Sequence, residues 1–404
     1  MPTRGGVGGE KDETAGYSST EFLMGCMHSV LEFWSRTGWD AAAGCYLSDR
    51  DAAGWPRGTS VSTVSTARFL YMFATGNRLG LGDYTLPAER CVRQLEAAAD
   101  PGHGGYFWEL GAPGDGGAGR RKVAYAHAFV LLGMSAAVAA RLVGSSAIEP
   151  VVEVIESHFR DVGTPLVVEE ASADWTQVPS YRGQNANMHL CEAYLEAFQA
   201  TGDYSFLERA KHIASAVVDL VDLTNGLVWE HYGPDWDPDW HWAFDGTTAM
   251  YHPSGYVPGH WLEWAKLLLA LATFSRREEA ENLQRRALAL YEAAWQRAWD
   301  SHGGGFAYTL DLELNVSNPD RHHWPQAEGI AAAARLASVT GEARFRDDYD
   351  RLWAYVLENF VTEQGAWRKR TGVPGGVAPA ILGDSLEPDY HSLSACYAAL
   401  QAGM

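Results

Sequence analysis

The stretch GGYFWELGAPGDGGAGRRKVAYAHAFVLLGMSAAVAA, residues 104–140, contains the two elements that decide the fold. It opens with a segment of glycines and aromatic residues and closes with a helical pattern that is apolar on nearly every side. Near the start of that pattern stand two polar residues, Tyr125 and His127. A helix that is apolar all round belongs inside a protein. The stretch therefore predicts a buried helix with polar groups at one end.

The same pair of elements recurs along the chain. Further glycine and aromatic segments are AGCYL (43–47), NGLVWEHY (225–232), GGGFAYTL (303–310) and QGAWRKR (364–370). Apolar residues at helical spacing predict about twelve helices, at 20–37, 62–77, 85–99, 121–143, 147–160, 185–201, 204–222, 259–274, 277–299, 324–340, 344–360 and 389–402. Strand signals are few and confined to loops. Self-similarity of this kind indicates a repeated supersecondary unit.

Every second helix starts with polar residues that a solvent-facing amphipathic helix would not need. One from each, in order, is Arg68, His127, His189, Glu263, Glu328 and His391. The helices between them carry alternating charge, as in SRREEAENLQRRA (275–287), which is typical of an exposed face. The pattern predicts six helical hairpins with an inner and an outer ring, an all-α (α/α)6 barrel. A solenoid of hairpins would not gather polar residues at one end of every second helix, whereas closure brings them around one pocket.

Composition bounds the partners. The chain has 404 residues, 47% of them hydrophobic, with 31 Lys and Arg against 51 Asp and Glu and a formal net charge of -20. This charge repels phosphate backbones and anionic lipid surfaces, so we expect neither nucleic acid nor membrane as a partner. The most apolar stretch, 128–143, contains Arg141 and falls short of the roughly 20 residues that a membrane span needs.

The ends and the cysteines bear on location. Residues 1–16 are glycine-rich and polar, which predicts a flexible tail without a secretory signal. We expect residues 17–404 to form a single catalytic domain, cytoplasmic, as a monomer or homodimer. The five cysteines are scattered without a CxxC pair, which favours reduced thiols over a disulfide framework or a zinc site.

Two candidate acid/base pairs stand out. The segment PGHWLEW places His260 and Glu263 three residues apart on one face of a first helical turn. A carboxylate that orients an imidazole suits general acid/base catalysis. Structural hydrogen bonding and a metal site are the alternatives, and HExxH is absent. His391 and Glu328 start the last two inner helices, and we expect them to form a second carboxylate-supported histidine across the pocket from His260.

Other polar residues of the inner helices are candidates for binding. Arg68 is expected either to pair with an inner carboxylate or to hold ligand oxygens through its planar fork of donors. Asn185, Asn187 and His189 carry groups that bind hydroxyls, although Asn185 could be a plain N-cap. Tyr125 and His127 are candidates for either the pocket or the core. Of the sixteen tryptophans, most are expected in the core, although the indole ring suits stacking on sugars.

The inner-helix motifs resemble those of the N-acylglucosamine 2-epimerase superfamily, which includes cellobiose 2-epimerases, mannose isomerases, mannose 2-epimerases and sulfoquinovose isomerases. The resemblance is carried, in order, by TAR (66–68), RGQNANMH (182–189), PGHxxEW (258–264), WPQAE (324–328) and DYH (389–391). It implies an (α/α)6 barrel and metal-free aldose chemistry at C1 and C2. It also implies that His260 and His391 act as acid and base while Arg68 and His189 hold the sugar.

The fragment WPQAE resembles the isomerase and cellobiose epimerase branches. On this resemblance Trp324 and Gln326 join Asn185 and Tyr125 as expected substrate-binding residues. The sequence has no glycine loop followed by Lys and Ser/Thr that would bind phosphates. We therefore expect no cofactor, neither ATP nor a metal.

The expected chemistry is ring opening followed by removal of the C2 proton, which gives an enediolate that Arg68 stabilises. Return of the proton to C1 gives a ketose, and return to C2 from the opposite face gives the epimer. We favour a monosaccharide, mannose or glucose, converting to fructose, with a 2-epimerase as the alternative.

Two rivals come from other classes. An inverting glycoside hydrolase needs two carboxylates about 6.5 to 9.5 Å apart, and a sugar-binding barrel would be catalytically silent.

The long aromatic loop 231–256 is expected to close over a monosaccharide or to carry a second sugar ring.

Overall fold

The structure is a computed structural model that describes residues 16–47, 49–51, 53–58, 61–109, 118–242, 252–371, 385–388 and 390–403. Twelve α-helices lie within these ranges. The odd-numbered ones are α1 (Thr20–Thr37), α3 (Thr85–Ala98), α5 (Glu149–Val154), α7 (Tyr204–Leu223), α9 (Arg277–Arg297) and α11 (Ala343–Asn359). The even-numbered ones are α2 (Thr63–Arg78), α4 (Ala124–Ala139), α6 (Gln184–Thr201), α8 (Pro258–Ala272), α10 (His323–Thr340) and α12 (Tyr390–Ala402).

The twelve predicted helices are all present, with bounds that differ by a few residues. The largest departure is α5, which is preceded by a 3-10 turn at Ser145–Ile148 and continues as a π-helical turn over Ile155–Phe159. Another 3-10 turn lies at Ala118–Arg120.

The even-numbered helices form a closed inner ring. Each packs on the next, from α2 through α4, α6, α8 and α10 to α12, and α12 contacts α2 again. Helices α3, α5, α7, α9 and α11 each pack on the inner helix that precedes them, while α1 packs on α12 and α2. The predicted (α/α)6 barrel is therefore confirmed, and the contacts of α12 with α1 and α2 close it into a ring rather than an open solenoid.

Burial distinguishes the two rings. In α4 every residue from Ala124 to Ala137 is buried, and in α8 every residue from Pro258 to Leu269. In α9 only a stripe is buried, made of Ala287, Leu290, Tyr291 and Ala294. The inner helices thus supply the core, and each outer helix covers them with one apolar face. No helix in the described ranges is long and apolar enough to cross a membrane.

Short antiparallel ribbons cap the N-terminal ends of the inner helices. The strands are β1 (Trp39–Asp40), β2 (Cys45–Tyr46), β3 (Lys122–Val123), β4 (Glu170–Ala171), β5 (Arg182–Gly183), β6 (His231–Tyr232), β7 (Thr309–Leu310), β8 (Val316–Asn318), β9 (Arg321–His322) and β10 (Arg370–Thr371). They pair in order, β1 with β2 through β9 with β10. Because β3, β5 and β9 lead directly into α4, α6 and α10, these ribbons fix where each inner helix starts.

Four inner helices share a further contact at their fourth residue, which bonds to the backbone of the turn after the preceding outer helix. We call these four the latch residues. They are His127 on Tyr106 N (2.9 Å), Asn187 on Val167 N (2.8 Å), Trp261 on Val228 O (3.0 Å) and Gln326 on Phe306 N (2.9 Å).

The glycines of the repeat segments make room for such contacts. Gly105 has φ +71°, and a Cβ there would lie 2.8 Å from the latch nitrogen of His127. Only glycine adopts this conformation readily and leaves that space open. Three of the repeated glycine and aromatic segments, 104–110, 225–232 and 303–310, are thus turns that latch residues hold.

Some predicted features fall outside the described residues. They are the tail up to residue 15, residues 243–251 of the long loop, and the first residue of the DYH motif.

Candidate active site

A cavity of about 640 Å³, its open mouth included, lies at the N-terminal ends of the inner helices. Helix residues that line it are Arg68, Tyr125, Asn185, His189, His260, Glu263, Trp324 and His391. Loop residues that line it are Pro253, Tyr308, His322, Lys369 and Glu387. Eight of the ten residues predicted for the site therefore meet here, and Glu328 and Gln326 do not line the cavity.

Helical phase decides which residues face this cavity. The second residues of α4, α6, α10 and α12 do so, and so do the sixth residues of α2, α6 and α8. Second and sixth residues are four apart and lie one above the other on the same face of a helix. The fourth residue, two positions from each, faces away from the cavity, which is where the latch residues bond.

His260 is held by a glutamate that the sequence did not indicate. Its Nδ1 lies 2.9 Å from Oε2 of Glu230, and Gln184 Nε2 donates to the same oxygen at 2.8 Å. Trp264 Nε1 in turn donates to Gln184 Oε1 at 2.7 Å. Gln184 Nε2 also lies 3.1 Å from Nδ1 of His260, a longer contact than either nitrogen makes with Glu230. Because a carboxylate only accepts hydrogen bonds, the shorter contact assigns the proton of His260 to Nδ1. Its Nε2 then carries the free lone pair.

The predicted contact between His260 and Glu263 is wrong. Oε1 of Glu263 lies 3.7 Å from Nδ1 of His189 and 3.7 Å from Nζ of Lys266. Glu263 is the sixth residue of α8, the same position that Arg68 has in α2 and His189 has in α6. His260 is the third residue of α8 and turns toward the loop after α7. Glu230 lies in that loop, thirty residues before its partner, and its segment NGLVWEHY stands out in the sequence only as a repeat.

His391 is held by Glu328, and here the predicted contact is confirmed. Nδ1 of His391 lies 2.8 Å from Oε1 of Glu328, which sits behind it. Burial, reinforced by the positive charge of Arg68, lowers the pKa of His391 well below its usual value. The imidazole is therefore neutral at neutral pH. In the described part of the chain, neither His260 nor His391 hydrogen-bonds through Nε2, which leaves both nitrogens available.

Trp324 lies beside both histidines. Its ring centroid lies 5.0 Å from that of His260 and 5.8 Å from that of His391. The two imidazoles thus line the cavity next to one indole. An indole face is a suitable surface for the C–H face of a sugar ring.

Polar groups for substrate hydroxyls lie on α2, α4 and α6. Arg68 donates to Oη of Tyr125 at 2.9 Å and stacks 4.6 Å above the ring of Phe129. Burial lowers the pKa of His189 to about 4, so this imidazole is neutral too. Oδ1 of Asn185 is buried without a hydrogen-bond partner in the described residues. Such an acceptor is suited to a ligand hydroxyl, because an unpaired buried polar atom is costly.

Gln326 was predicted to bind substrate, and its position contradicts this. Oε1 accepts from Phe306 N, and Nε2 donates to Phe306 O at 3.3 Å and to His322 O at 3.0 Å. The side chain is a latch, with its polar atoms bonded to backbone. His127 is likewise a latch, since its Nε2 accepts from Tyr106 N and its Nδ1 contacts Val123 O at 2.8 Å.

Beside the cavity, one lysine meets three glutamates. Nζ of Lys266 lies 2.8 Å from Glu328 Oε2, 2.9 Å from Glu192 Oε1 and 3.7 Å from Glu263 Oε1. Burial, reinforced by the charge of Glu328, raises the pKa of Glu263 well above its usual value. A neutral Glu263 carboxyl at the cavity wall can donate a hydrogen bond to a ligand oxygen.

Among the described residues, donor atoms that could hold a metal ion occur in two sets. These are His189 with Glu192 and Glu263, and Glu263 with Glu328 and His391, each within 4.8 Å. In both sets the carboxyl groups lie next to the ammonium of Lys266, which already supplies positive charge. The donor chemistry of these sets therefore does not require a cation.

The remaining lining comes from residues between the helices that were not among the predicted site residues. The rings of Tyr308 and His322 stack at 4.0 Å, and Nζ of Lys369 donates to Oε2 of Glu387 at 2.8 Å. Although burial opposes ionisation, Lys369 and Arg68 hold the pKa of Glu387 below its usual range. His322 and Glu387 lie just before the starts of α10 and α12, so proximity to an inner-helix start is a sequence signal that could have found them. Tyr308 and Lys369 lie in the repeated segments 303–310 and 364–370, and the repeat is their signal.

The described parts of the long loop adjoin the cavity. Pro253 lines it, and Trp242 stacks on His231 at 5.1 Å and on Tyr181 at 4.4 Å. The role of this loop as a lid stays a prediction.

Fold and site together define a class of protein: an (α/α)6 barrel whose axial cavity carries two histidines, each held at Nδ1 by a buried glutamate. The family model described as N-acylglucosamine 2-epimerase (GlcNAc 2-epimerase) matches residues 45–395, and the chain belongs to this family. The resemblance found in the sequence is therefore confirmed.

Mannose isomerases are similar to this chain. D-mannose isomerase of Marinomonas mediterranea is 32% identical over 392 residues, which cover 95% of this chain and 98% of the relative. D-mannose isomerase of Thermobifida fusca is 37% identical over 312 residues, 76% of each chain. A crystal structure of D-mannose isomerase matches with a TM-score of 0.85 at 31% identity and covers 96% of this chain and 100% of its own.

Proposed function

We propose that the chain is an aldose–ketose isomerase that interconverts D-mannose and D-fructose through a cis-enediolate. The observation that carries the proposal is the pair of histidines beside Trp324, each with Nδ1 on a glutamate and Nε2 available. The family and the mannose isomerase relatives supply the substrate class.

The proposed reaction moves two protons on the open-chain sugar. Nε2 of one histidine takes the proton from C2, and the electrons of that C–H bond form the C1–C2 double bond of the enediolate. The carbonyl oxygen O1 gains a proton as O2 loses one, and delivery of the carbon-bound proton to C1 completes the ketose. Arg68 and the neutral Glu263 carboxyl line the cavity as donors for the oxygens on which charge develops.

The site residues have these proposed roles. His260 and His391 are the acid and base, while Glu230 and Glu328 orient them. Glu263 acts as a donor to the substrate and not as the partner of His260. Arg68, Asn185, His189, Tyr125 and Trp324 bind the monosaccharide.

A 2-epimerase is the second candidate, favoured by the presence of two glutamate-held histidines in one cavity. Return of the proton to C2 from the opposite side would give glucose from mannose. A glycoside hydrolase is not favoured. An inverting hydrolase needs a free carboxylate as base beside its acid. Glu263, with its raised pKa, could serve only as the acid, and Glu387, the other carboxyl side chain in the described cavity lining, is paired with Lys369.

The deciding experiment is turnover of mannose in D2O, with the products separated by chromatography and deuterium located by NMR. We expect fructose with deuterium at C1, because an imidazole exchanges its proton with solvent between removal and return. Glucose beside fructose would support the epimerase. A fructose product without deuterium under any condition would indicate hydride transfer and would refute the histidine mechanism.

Cofactor dependence is tested in the same assay. Activity should persist in EDTA and without ATP or nicotinamide, since two histidines suffice for proton transfer. Loss on chelation that a divalent ion restores would make the carboxylate cluster a metal site. We further propose a cytoplasmic enzyme, a monomer or homodimer, which size-exclusion chromatography with light scattering can resolve for the oligomer.

A further inference from the structure

We propose that Lys266 is a positioning residue that determines which nitrogen of His391 carries the proton. The inference deepens the proposed function, on which its activity readouts rest, whereas its structural readout needs no sugar.

The placement of Lys266 is the first observation. It lies on α8 with 4% of its surface exposed and is not among the residues that line the cavity. Its ammonium faces carboxylates from three helices, α6, α8 and α10. Burial of an ammonium costs free energy of desolvation, even where the charge is paired in this way. Lys266 has no contact with the cavity, so substrate binding does not explain its presence.

The second observation is that Glu328 divides its two oxygens between two partners. Oε1 lies 2.8 Å from Nδ1 of His391, and Oε2 lies 2.8 Å from Nζ of Lys266. An ammonium only donates, so it favours the ionised carboxylate. An ionised Glu328 must accept from His391, which places the imidazole proton on Nδ1 and leaves Nε2 as a base.

Loss of the Lys266 ammonium is expected to move the imidazole proton of His391 to the other nitrogen. Burial raises the pKa of Glu328, and Lys266 is the largest influence that opposes the rise. A protonated Glu328 would donate to Nδ1 of His391, so the imidazole proton would move to Nε2. The nitrogen at the cavity would then be a donor and could not take a proton from C2.

Other charged and titratable groups face this cluster, and all of them are retained in the single Lys266 variants below. They are Arg68 on α2, His189 and Glu192 on α6, Glu263 on α8, His323 on α10, and Tyr390 on α12.

The second histidine provides an internal control. Glu230, the partner of His260, receives Gln184 Nε2 at 2.8 Å and has no Lys or Arg ion pair in the described residues. The side-chain amide of Gln184 bonds to the glutamate that holds His260, whereas the ammonium of Lys266 pairs with the glutamate that holds His391. A change at Lys266 should therefore alter the tautomer of His391 and leave that of His260 unchanged.

The experiment is 15N NMR of histidine-labelled protein, which distinguishes Nδ1–H from Nε2–H imidazoles. The signals of His260 and His391 are assigned from two variants, each of which lacks one of these histidines. At pH 7 we expect the Nδ1–H form of His391 in the unmodified protein and in Lys266→Arg, and the Nε2–H form in Lys266→Met. The Nδ1–H form of His391 in Lys266→Met would overturn the proposal, and so would a matching switch at His260.

Mannose turnover gives the functional arm. We expect Lys266→Met to lower kcat at pH 7 by at least about 10²-fold, as for loss of a general base, with partial recovery as rising pH ionises Glu328. Lys266→Arg should retain activity within about tenfold. A merely structural lysine would lower kcat equally at every pH.

A second variant guards against misfolding. If Lys266→Met does not fold, the double variant with Glu192→Gln removes one uncompensated carboxylate and keeps Glu328 without its ammonium. The same tautomer switch is expected there. A tautomer switch in a protein that does not isomerise mannose would refute the proposed function and leave this inference standing.

Discussion

Trp324 and Gln326 lie two residues apart in the fragment WPQAE and belong to different parts of the molecule. Trp324 lies beside both histidines at the cavity, whereas Gln326 bonds to the backbone of Phe306 and His322. A hundred degrees of rotation per residue places them on nearly opposite faces of α10. A motif in this barrel therefore combines one residue of the site with one residue of the scaffold.

The same division separates two identical side chains on α6. Asn185 lines the cavity with Oδ1 unpaired in the described residues. Asn187 accepts from Val167 N and donates to Val167 O and Gly183 O. Residue type says nothing about which asparagine meets the ligand, and helical phase settles it. The following experiments test this division between cavity face and latch face.

The largest effect is expected at the cavity face. His391→Asn and His260→Asn should each lower turnover of mannose by at least about 10²-fold, as expected for loss of a general acid/base. Far-UV circular dichroism should be unchanged. Near-normal turnover in either variant would remove that histidine from the mechanism.

Glu230→Gln should come next, with a loss of about 10²-fold in kcat, because a neutral amide cannot stabilise the imidazolium or enforce the Nδ1–H form of His260. The matched control is Glu196→Gln, another buried glutamate, which pairs with Arg78 at 2.8 Å outside the cavity lining. The control should lower Tm and retain kcat. Equal kinetics in the two variants would return Glu230 to a structural role.

Arg68→Lys should lower kcat/KM by at least about tenfold, since a point-charge ammonium cannot reproduce a planar fork of donors. Arg78→Lys on the same helix provides the control, because Arg78 pairs with Glu196 away from the cavity. Steady-state kinetics on mannose compares the two. Unaltered kinetics for Arg68→Lys would mean that this guanidinium only packs against Phe129 and Tyr125.

On the latch face the expected effect moves from activity to stability. Gln326→Ala leaves Phe306 N and two carbonyls without their partner, which should cost about 1 to 3 kcal/mol in the free energy of unfolding. Urea titration measures that loss, and kcat of the folded enzyme should stay unchanged. A rise in KM without a loss of stability would place Gln326 in the site after all.

The smallest effect is expected for His127→Gln, which exchanges one latch residue for the type used in α10. Burial lowers the pKa of His127 to about 3 from 6.5, so the folded protein holds this imidazole neutral. Below pH 6.5 the His127 side chain binds a proton in the unfolded chain but not in the folded one. Its contribution to the free energy of unfolding therefore declines as pH falls toward 3. The variant should show a shallower decline in Tm over that range. An unchanged slope would contradict the assignment.

The twelve helices could be predicted because each carries its own period in consecutive residues. The site could be predicted only in part, because its candidate residues were selected for their polarity and not for their position around the helix. His127 was taken as the repeat marker of α4, although the sixth residue of that helix, at the same position as Arg68 in α2 and His189 in α6, is Phe129. Glu230 and Lys266 were missed because their partners come from other helices and loops, and contacts across the barrel leave no mark in local spacing.

The closed ring has a consequence for how the molecule acquires activity. In a linear stack of hairpins every contact is local, but here the seam joins distant segments, as where Ser385 Oγ donates to Asp49 Oδ1 at 2.7 Å. The entropy of closing so long a loop must be overcome before the seam contributes any contact energy. His391 lies on α12, which forms one side of that seam, and Arg68 lies on α2 across it. On dilution from denaturant, we expect helical structure to return first and mannose turnover to follow in a separate, slower phase that reports ring closure.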